Sequence, residues 1–162
     1  MRRKIGMRAF ATGVVSLAAL FVVPVGSASA ASPTPVTRTF SFIGKPGSRT
    51  STVFNIDGLL VNARCDSRGN PVIFAFSSVS RADLFGRIFD GLGRLHIIKN
   101  SAFTRTSRGV GLSPSSGDFD STGAVLFEVS TGTVVTVSYA FDNATTLAKQ
   151  RVCTVYGSFI AS

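Results

Sequence analysis

Residues 124–141 read Ala-Val-Leu-Phe-Glu-Val-Ser-Thr-Gly-Thr-Val-Val-Thr-Val-Ser-Tyr-Ala-Phe, and their period of two decides the fold. Val125, Phe127 and Val129 alternate with Ala124, Leu126 and Glu128. Beyond Gly132, Val135, Val137, Tyr139 and Phe141 alternate with Thr136, Ser138 and Ala140. Successive side chains of a strand point to opposite faces, so each run presents one apolar face. Two such runs about a glycine predict an antiparallel hairpin. The expected register sets Val129 opposite Val135, Phe127 opposite Val137 and Val125 opposite Tyr139, because a slip of one residue would expose half of the apolar set. Thr131-Gly132-Thr133 is then the connection, with Gly132 supplying the left-handed residue that such loops use.

The same grammar extends to both sides. The final strand, 151–160, carries Cys153, Val155 and Phe159 on one face. Upstream, 37–43 puts Phe40 and Phe42 together, and 51–56 ends at Asp57-Gly58. In 59–65, Leu59, Val61, Ala63 and Cys65 share a face, and the turn cluster 66–71 follows. Residues 72–76, Val-Ile-Phe-Ala-Phe, are apolar on both faces, which suits a central strand, and 95–103 reads as another strand. Short strands with turns every 8–12 residues predict an all-β antiparallel sandwich of jelly-roll type. One segment fits two readings: Phe85, Ile88, Phe89 and Leu92 fall at helical spacing, yet Gly86, Gly91 and Gly93 each weaken a helix by about 1 kcal/mol. Irregular strand and turn, or one short helix around 83–92, are both compatible with that pattern.

The amino-terminal thirty residues have another character. Arg2, Arg3, Lys4 and Arg8 precede an uncharged run that Pro24 breaks, and Ala28-Ser29-Ala30 closes it with small residues. That is the layout of a secretory signal peptide, with cleavage expected after Ala30. The uncharged run spans about 15 residues, short of the about 20 that a spanning helix needs, so no transmembrane segment is expected after cleavage. The expected organisation is a signal peptide over 1–30, an extended leader over 31–36 and one sandwich domain over 37–162. The leader holds Pro33 and Pro35, which fix φ and remove amide donors.

Export bears on the cysteines. The exported part retains Cys65 and Cys153, both on core-facing parity, and a pair in an oxidising compartment predicts one disulfide. Four of the 17 basic residues and none of the 8 acidic ones belong to the signal, so the exported part has 13 against 8, a net +5.

Motifs for catalysis are scarce. His96 is the only histidine, set between Leu95 and Ile97, and reads as a hydrogen-bonded structural residue. There is no Gly-x-Ser-x-Gly elbow, His-Glu-x-x-His helix or phosphate loop. Asp118 and Asp120 with Gly123 resemble part of a Ca²⁺ loop, but the remaining oxygen ligands are missing, so the pair is a weak candidate and no cofactor is expected. Asn143-Ala144-Thr145 matches a glycosylation acceptor and is read as a turn.

Charge is unevenly spread. Arg81, Arg87, Arg94, Lys99, Arg105 and Arg108 lie within 28 residues against Asp83 and Asp90. A basic window interleaved with Phe85, Phe89 and Phe103 suits an anionic partner, such as an envelope polymer, an acidic polysaccharide or lipid headgroups, without specific nucleic-acid recognition. Arg87, Arg94 and Lys99 are the candidate ligand-binding residues. The reading is a secreted or cell-envelope binding domain rather than an enzyme. A small secreted enzyme or inhibitor using His96 or the 113–123 loop, and a structural coat protein, are the alternatives.

Overall fold

The computed structural model describes residues 34–114, 120–143, 146–147 and 150–162. The expected signal peptide and most of the expected leader lie outside this set, as does Asp118. All of the regular structure among the described residues is strand or turn. No helix among them is long and apolar enough to cross a membrane.

Twelve strands follow in order: β1 (Val36–Gly44), β2 (Ser51–Ile56), β3 (Leu59–Cys65), β4 (Pro71–Ser77), β5 (Ala82–Phe89), β6 (Leu95–Asn100), β7 (Val110–Gly111), β8 (Asp120–Val129), β9 (Val134–Asp142), β10 (Thr146–Leu147), β11 (Gln150–Arg151) and β12 (Cys153–Ala161). They form an antiparallel β-sandwich. One sheet has six strands in the order β1-β12-β9-β8-β5-β6; the other has four, β2-β3-β4-β7. Strands β10 and β11 make a small ribbon of their own.

The core lies between the sheets and follows strand parity. Leu59, Val61 and Ala63 with Ile73 and Ala75 face inward from the smaller sheet. Leu84, Ile88, Val125, Phe127, Val135, Val137, Phe141, Val155 and Phe159 face them from the larger. Phe54 bridges the layers, with its ring centroid 4.9 Å from those of both Phe40 and Phe159. Phe103 and Phe127, both fully buried, meet edge to face at 6.1 Å. Truncating either to alanine would cost about 3–5 kcal/mol. On the other face of β4, Phe74 and Phe76 are half-buried, and a Cβ at Gly109 would lie 2.6 Å from the Phe76 ring, so only glycine lets that loop cover it.

The hairpin β8–β9 keeps the expected faces but shifts the register by two residues. Phe127 is opposite Val135, Val125 opposite Val137 and Gly123 opposite Tyr139. The Val129 amide donates to the Thr133 carbonyl (2.9 Å), and the Gly132 amide donates to the Val129 carbonyl (2.8 Å). The connection is therefore Ser130-Thr131-Gly132, a tight turn whose third residue is left-handed, with Gly132 at φ 97°. Glycine has to be last in such a loop, not central, and that moves the whole ladder. The shift gives Tyr139 a glycine on each side, Gly123 and Gly157. A Cβ at Gly123 would collide with the Tyr139 ring. The ring lies across that gap and its hydroxyl donates to the buried Leu112 carbonyl at 2.7 Å, while burial pushes the phenol's pKa up.

Residues 83–92 take the strand alternative, not the helix. Strand β5 pairs with β6 on one side and β8 on the other, so both of its backbone edges are satisfied. Its helix-like spacing arises because the strand is apolar on both faces: Leu84 and Ile88 point to the core, Phe85 and Phe89 to the outside. Strand β1 starts one residue before the expected domain boundary, since Val36 already pairs with Ala161.

The disulfide joins Cys65 at the end of β3 to Cys153 at the start of β12, across a Cα separation of 5.9 Å. It ties the two sheets at one end. A Cβ at Gly44, the pairing partner of Cys153, would lie 2.7 Å from the Cys65 sulfur, so the bridge occupies the space that a side chain would fill.

Candidate functional site

Two of the three basic candidates share a face. In the β5–β6 ladder Arg87 is opposite Ile97 and Phe85 opposite Lys99. Arg87 and Lys99 are thus diagonal neighbours on the solvent face of the larger sheet, and both are exposed. A shallow trough of about 340 Å³ is lined by Phe85, Arg87, Ile97, Ala124, Leu126 and Thr136. Toward the β5–β6 turn the two strands pair apolar side chains, Phe89 opposite Leu95. Phe89 is 41% exposed, Leu95 52%, Ile97 68% and Leu92, in the turn, 71%. Across the sheet the character changes: the row Ala124, Ser138, Ser158 and Thr39 is small and mostly hydroxylic.

Arg94 does not join the other two. It belongs to the turn, where Asp90 holds it: Arg94 Nε donates to Asp90 Oδ2 at 2.7 Å, and the Arg94 amide to Oδ1 at 2.8 Å. The Leu92 amide reaches the same Oδ1 at 3.0 Å, and His96 Nε2 lies 2.9 Å from Oδ2. Desolvation alone would raise the buried Asp90 carboxyl. The bonds from His96, from the Arg94 amide and guanidinium and from the Leu92 amide outweigh it, holding the pKa far below the carboxylate range. Arg94 is accordingly a positioning residue for the turn. His96, expected to be a hydrogen-bonded structural residue, makes its bond to Asp90 in this turn.

Reading the sequence missed Asp90, although a signal was present. Asp90-Gly91-Leu92-Gly93-Arg94 repeats the design of Asp66-Ser67-Arg68-Gly69-Asn70. In both, the Asp accepts from amides two and four residues on, and the fourth residue is a left-handed glycine, Gly69 at φ 84° and Gly93 at φ 76°. An Asp-x-x-Gly spacing between two strand patterns is therefore this chain's hairpin signature.

Of the weak Ca²⁺ pair, Asp120 opens β8, exposed and opposite Asp142, while Asp118 lies outside the described residues. No group of three or more His, Cys, Asp or Glu side chains comes together among the described residues. The glycosylation reading of Asn143 fails on burial: its side chain is fully enclosed and Nδ2 donates to Asn70 Oδ1 at 2.9 Å, leaving no path for a glycan. No family model, curated protein or solved structure matches the chain.

Proposed function

We propose that this is an exported, non-enzymatic binding domain that works outside the cell or in its envelope and holds an anionic partner on the solvent face of β5 and β6. One observation carries the reading: Arg87 and Lys99 are diagonal neighbours on that face, and Arg87 lines an exposed, mostly apolar trough. Cations beside low-dielectric side chains attract anions more strongly than cations scattered in water. The disulfide is compatible with an oxidising compartment, and the basic-apolar-small layout of residues 1–30 supports export.

Retention on an immobilised anionic polymer, read as the salt needed for elution, tests the proposal. The double variant Arg87→Glu/Lys99→Glu should elute at much lower salt. The same charge change at two exposed arginines outside this face, Arg38→Glu/Arg49→Glu, should alter elution far less. Equal effects from the two pairs would reduce the attraction to net charge and remove the site.

A further inference from the structure

We infer that the partner held by this face is an anionic lipid bilayer, entered by the β5–β6 hairpin tip; this rests on the proposed anionic-binding reading and narrows it. The tip has an order that a polymer site does not need. Outermost stands Leu92 between Gly91 and Gly93, its side chain mostly in solvent. Next come Phe89 and Leu95, directly opposite each other, then Ile97 with Arg87, and last Lys99 with Phe85. Apolar side chains lead, with Arg94 in the turn held against Asp90, and Arg87 and Lys99 follow. Strand rise is about 3.3 Å per residue, so Lys99 stands about 13 Å along the strand from Leu95. Interfacial segments bury their apolar faces about 5–10 Å into the boundary between headgroups and acyl chains. With Leu92, Leu95 and Phe89 at that depth, Arg87 in the next pair back on that face and Lys99 behind it reach the headgroup layer.

Charge complementarity selects the occupant. A second copy docked face to face would oppose Arg87 and Lys99 to the same two cations, whereas an anionic leaflet attracts them at about fivefold in affinity per cation. Exposed aliphatic side chains at a tip gain nothing from a hydrated polysaccharide, while acyl chains remove them from water. The turn is built to withstand insertion: the amides of Leu92 and Arg94 are already bonded to Asp90, so the tip carries fewer unmade hydrogen bonds into a medium without water.

Flotation of the exported protein with phosphatidylcholine vesicles, with or without about one-third phosphatidylglycerol, tests this. At least tenfold tighter binding to the anionic vesicles is expected. Leu92→Ser/Leu95→Ser should weaken that binding at least tenfold while leaving the circular dichroism and the polymer retention unchanged, since both residues are exposed and neither lines the trough. Polymer retention that depends on Arg87 and Lys99, without vesicle binding, would overturn the bilayer inference and leave the proposed function standing. Vesicle binding that ignores Leu92→Ser/Leu95→Ser would show adsorption without insertion and also overturn it. Light scattering that finds a dimer abolished by Ile97→Ser would assign the face to a second copy instead. Loss of neither vesicle nor polymer binding in Arg87→Glu/Lys99→Glu would sink the anionic reading itself.

Discussion

The turns at Asp66 and Asp90 share one backbone and have opposite surroundings. Both lie at the same end of the sandwich, where Cys153 pairs with Gly44 on one side and Phe89 pairs with Thr122 on the other. The Asp66 turn is packed in. The Gly47 amide donates to the Asp66 carbonyl (2.8 Å), a Cβ on Gly69 would meet Pro46 at 3.4 Å, and Asn70 accepts from Asn143 beside the disulfide. The Asp90 turn projects: nothing lies within 4 Å of a Cβ on Gly93, and Gly91, Leu92 and Gly93 are all exposed. Each carboxylate is anchored accordingly. Asp66 is completed by the neutral Asn70 side chain at 3.0 Å, Asp90 by a guanidinium and an imidazole. A turn held by its neighbours can manage with neutral partners. A free-standing tip takes its rigidity from within itself: the Asp90 carboxylate meets the ionised Arg94 guanidinium, where the side chain bonded to Asp66 is the neutral Asn70.

The largest expected effect breaks the packed side of this contrast. Opening the Cys65–Cys153 bridge frees a loop with a sequence separation of 88, and the chain-entropy model sets the loss at about 4.5 kcal/mol. Urea unfolding of Cys65→Ala/Cys153→Ala should give a midpoint far below that of the parent. A midpoint within error of the parent would mean that the packed end is held by hydrogen bonds alone.

Next come the carboxylates. Asp90→Ala should lower the thermal midpoint more than Asp66→Ala, since it strands Arg94 and His96 besides two amides. Equal midpoints would refute the charge-assisted account. Both carboxyls are held below the ordinary 3.8, against the pull of desolvation, by the hydrogen bonds they accept. A group with a depressed native pKa stabilises the fold fully above its unfolded value and loses that contribution as pH falls below it. Stability should therefore decline as pH drops under about 4, and Asp90→Asn should show a shallower decline than the parent when melts are compared between about pH 5 and pH 2.

The smallest effect sharpens the comparison. Gly69→Ala and Gly93→Ala each force an L residue into a left-handed conformation, at about 1–2 kcal/mol. Gly69→Ala should cost more, because its new methyl also presses on Pro46. The reverse order in chemical unfolding would show that the Asp90 tip is not open.

Much of the architecture was legible in residue types, and the misses have a common origin. Alternation in 124–141 assigned the core-facing residues of that stretch correctly, though buried Ser121, earlier in β8, fell in the expected 113–123 loop, and the register fell two residues away because the position of Gly132 within its loop was read as central. The stretch 83–92 imitated a helix because β5 is apolar on both faces, and its second apolar face is the candidate site. Arg94 read as free charge because sequence spacing does not reveal that Asp90, four residues earlier, is buried facing it.

The period of two, the cysteine parity and the turn residues determined by themselves that the chain folds as an antiparallel sandwich. These are local matters of backbone dihedral and side-chain direction, repeated along the chain. Which strands became neighbours, and so which outward side chains stand together, was decided only when the sheets packed. Arg87 and Lys99 are twelve positions apart in the chain and diagonal neighbours in space because β6 folds back on β5 through the Asp90 turn. Pairing across a ladder depends on loop geometry and on burying the opposite face, neither of which one strand's sequence encodes alone.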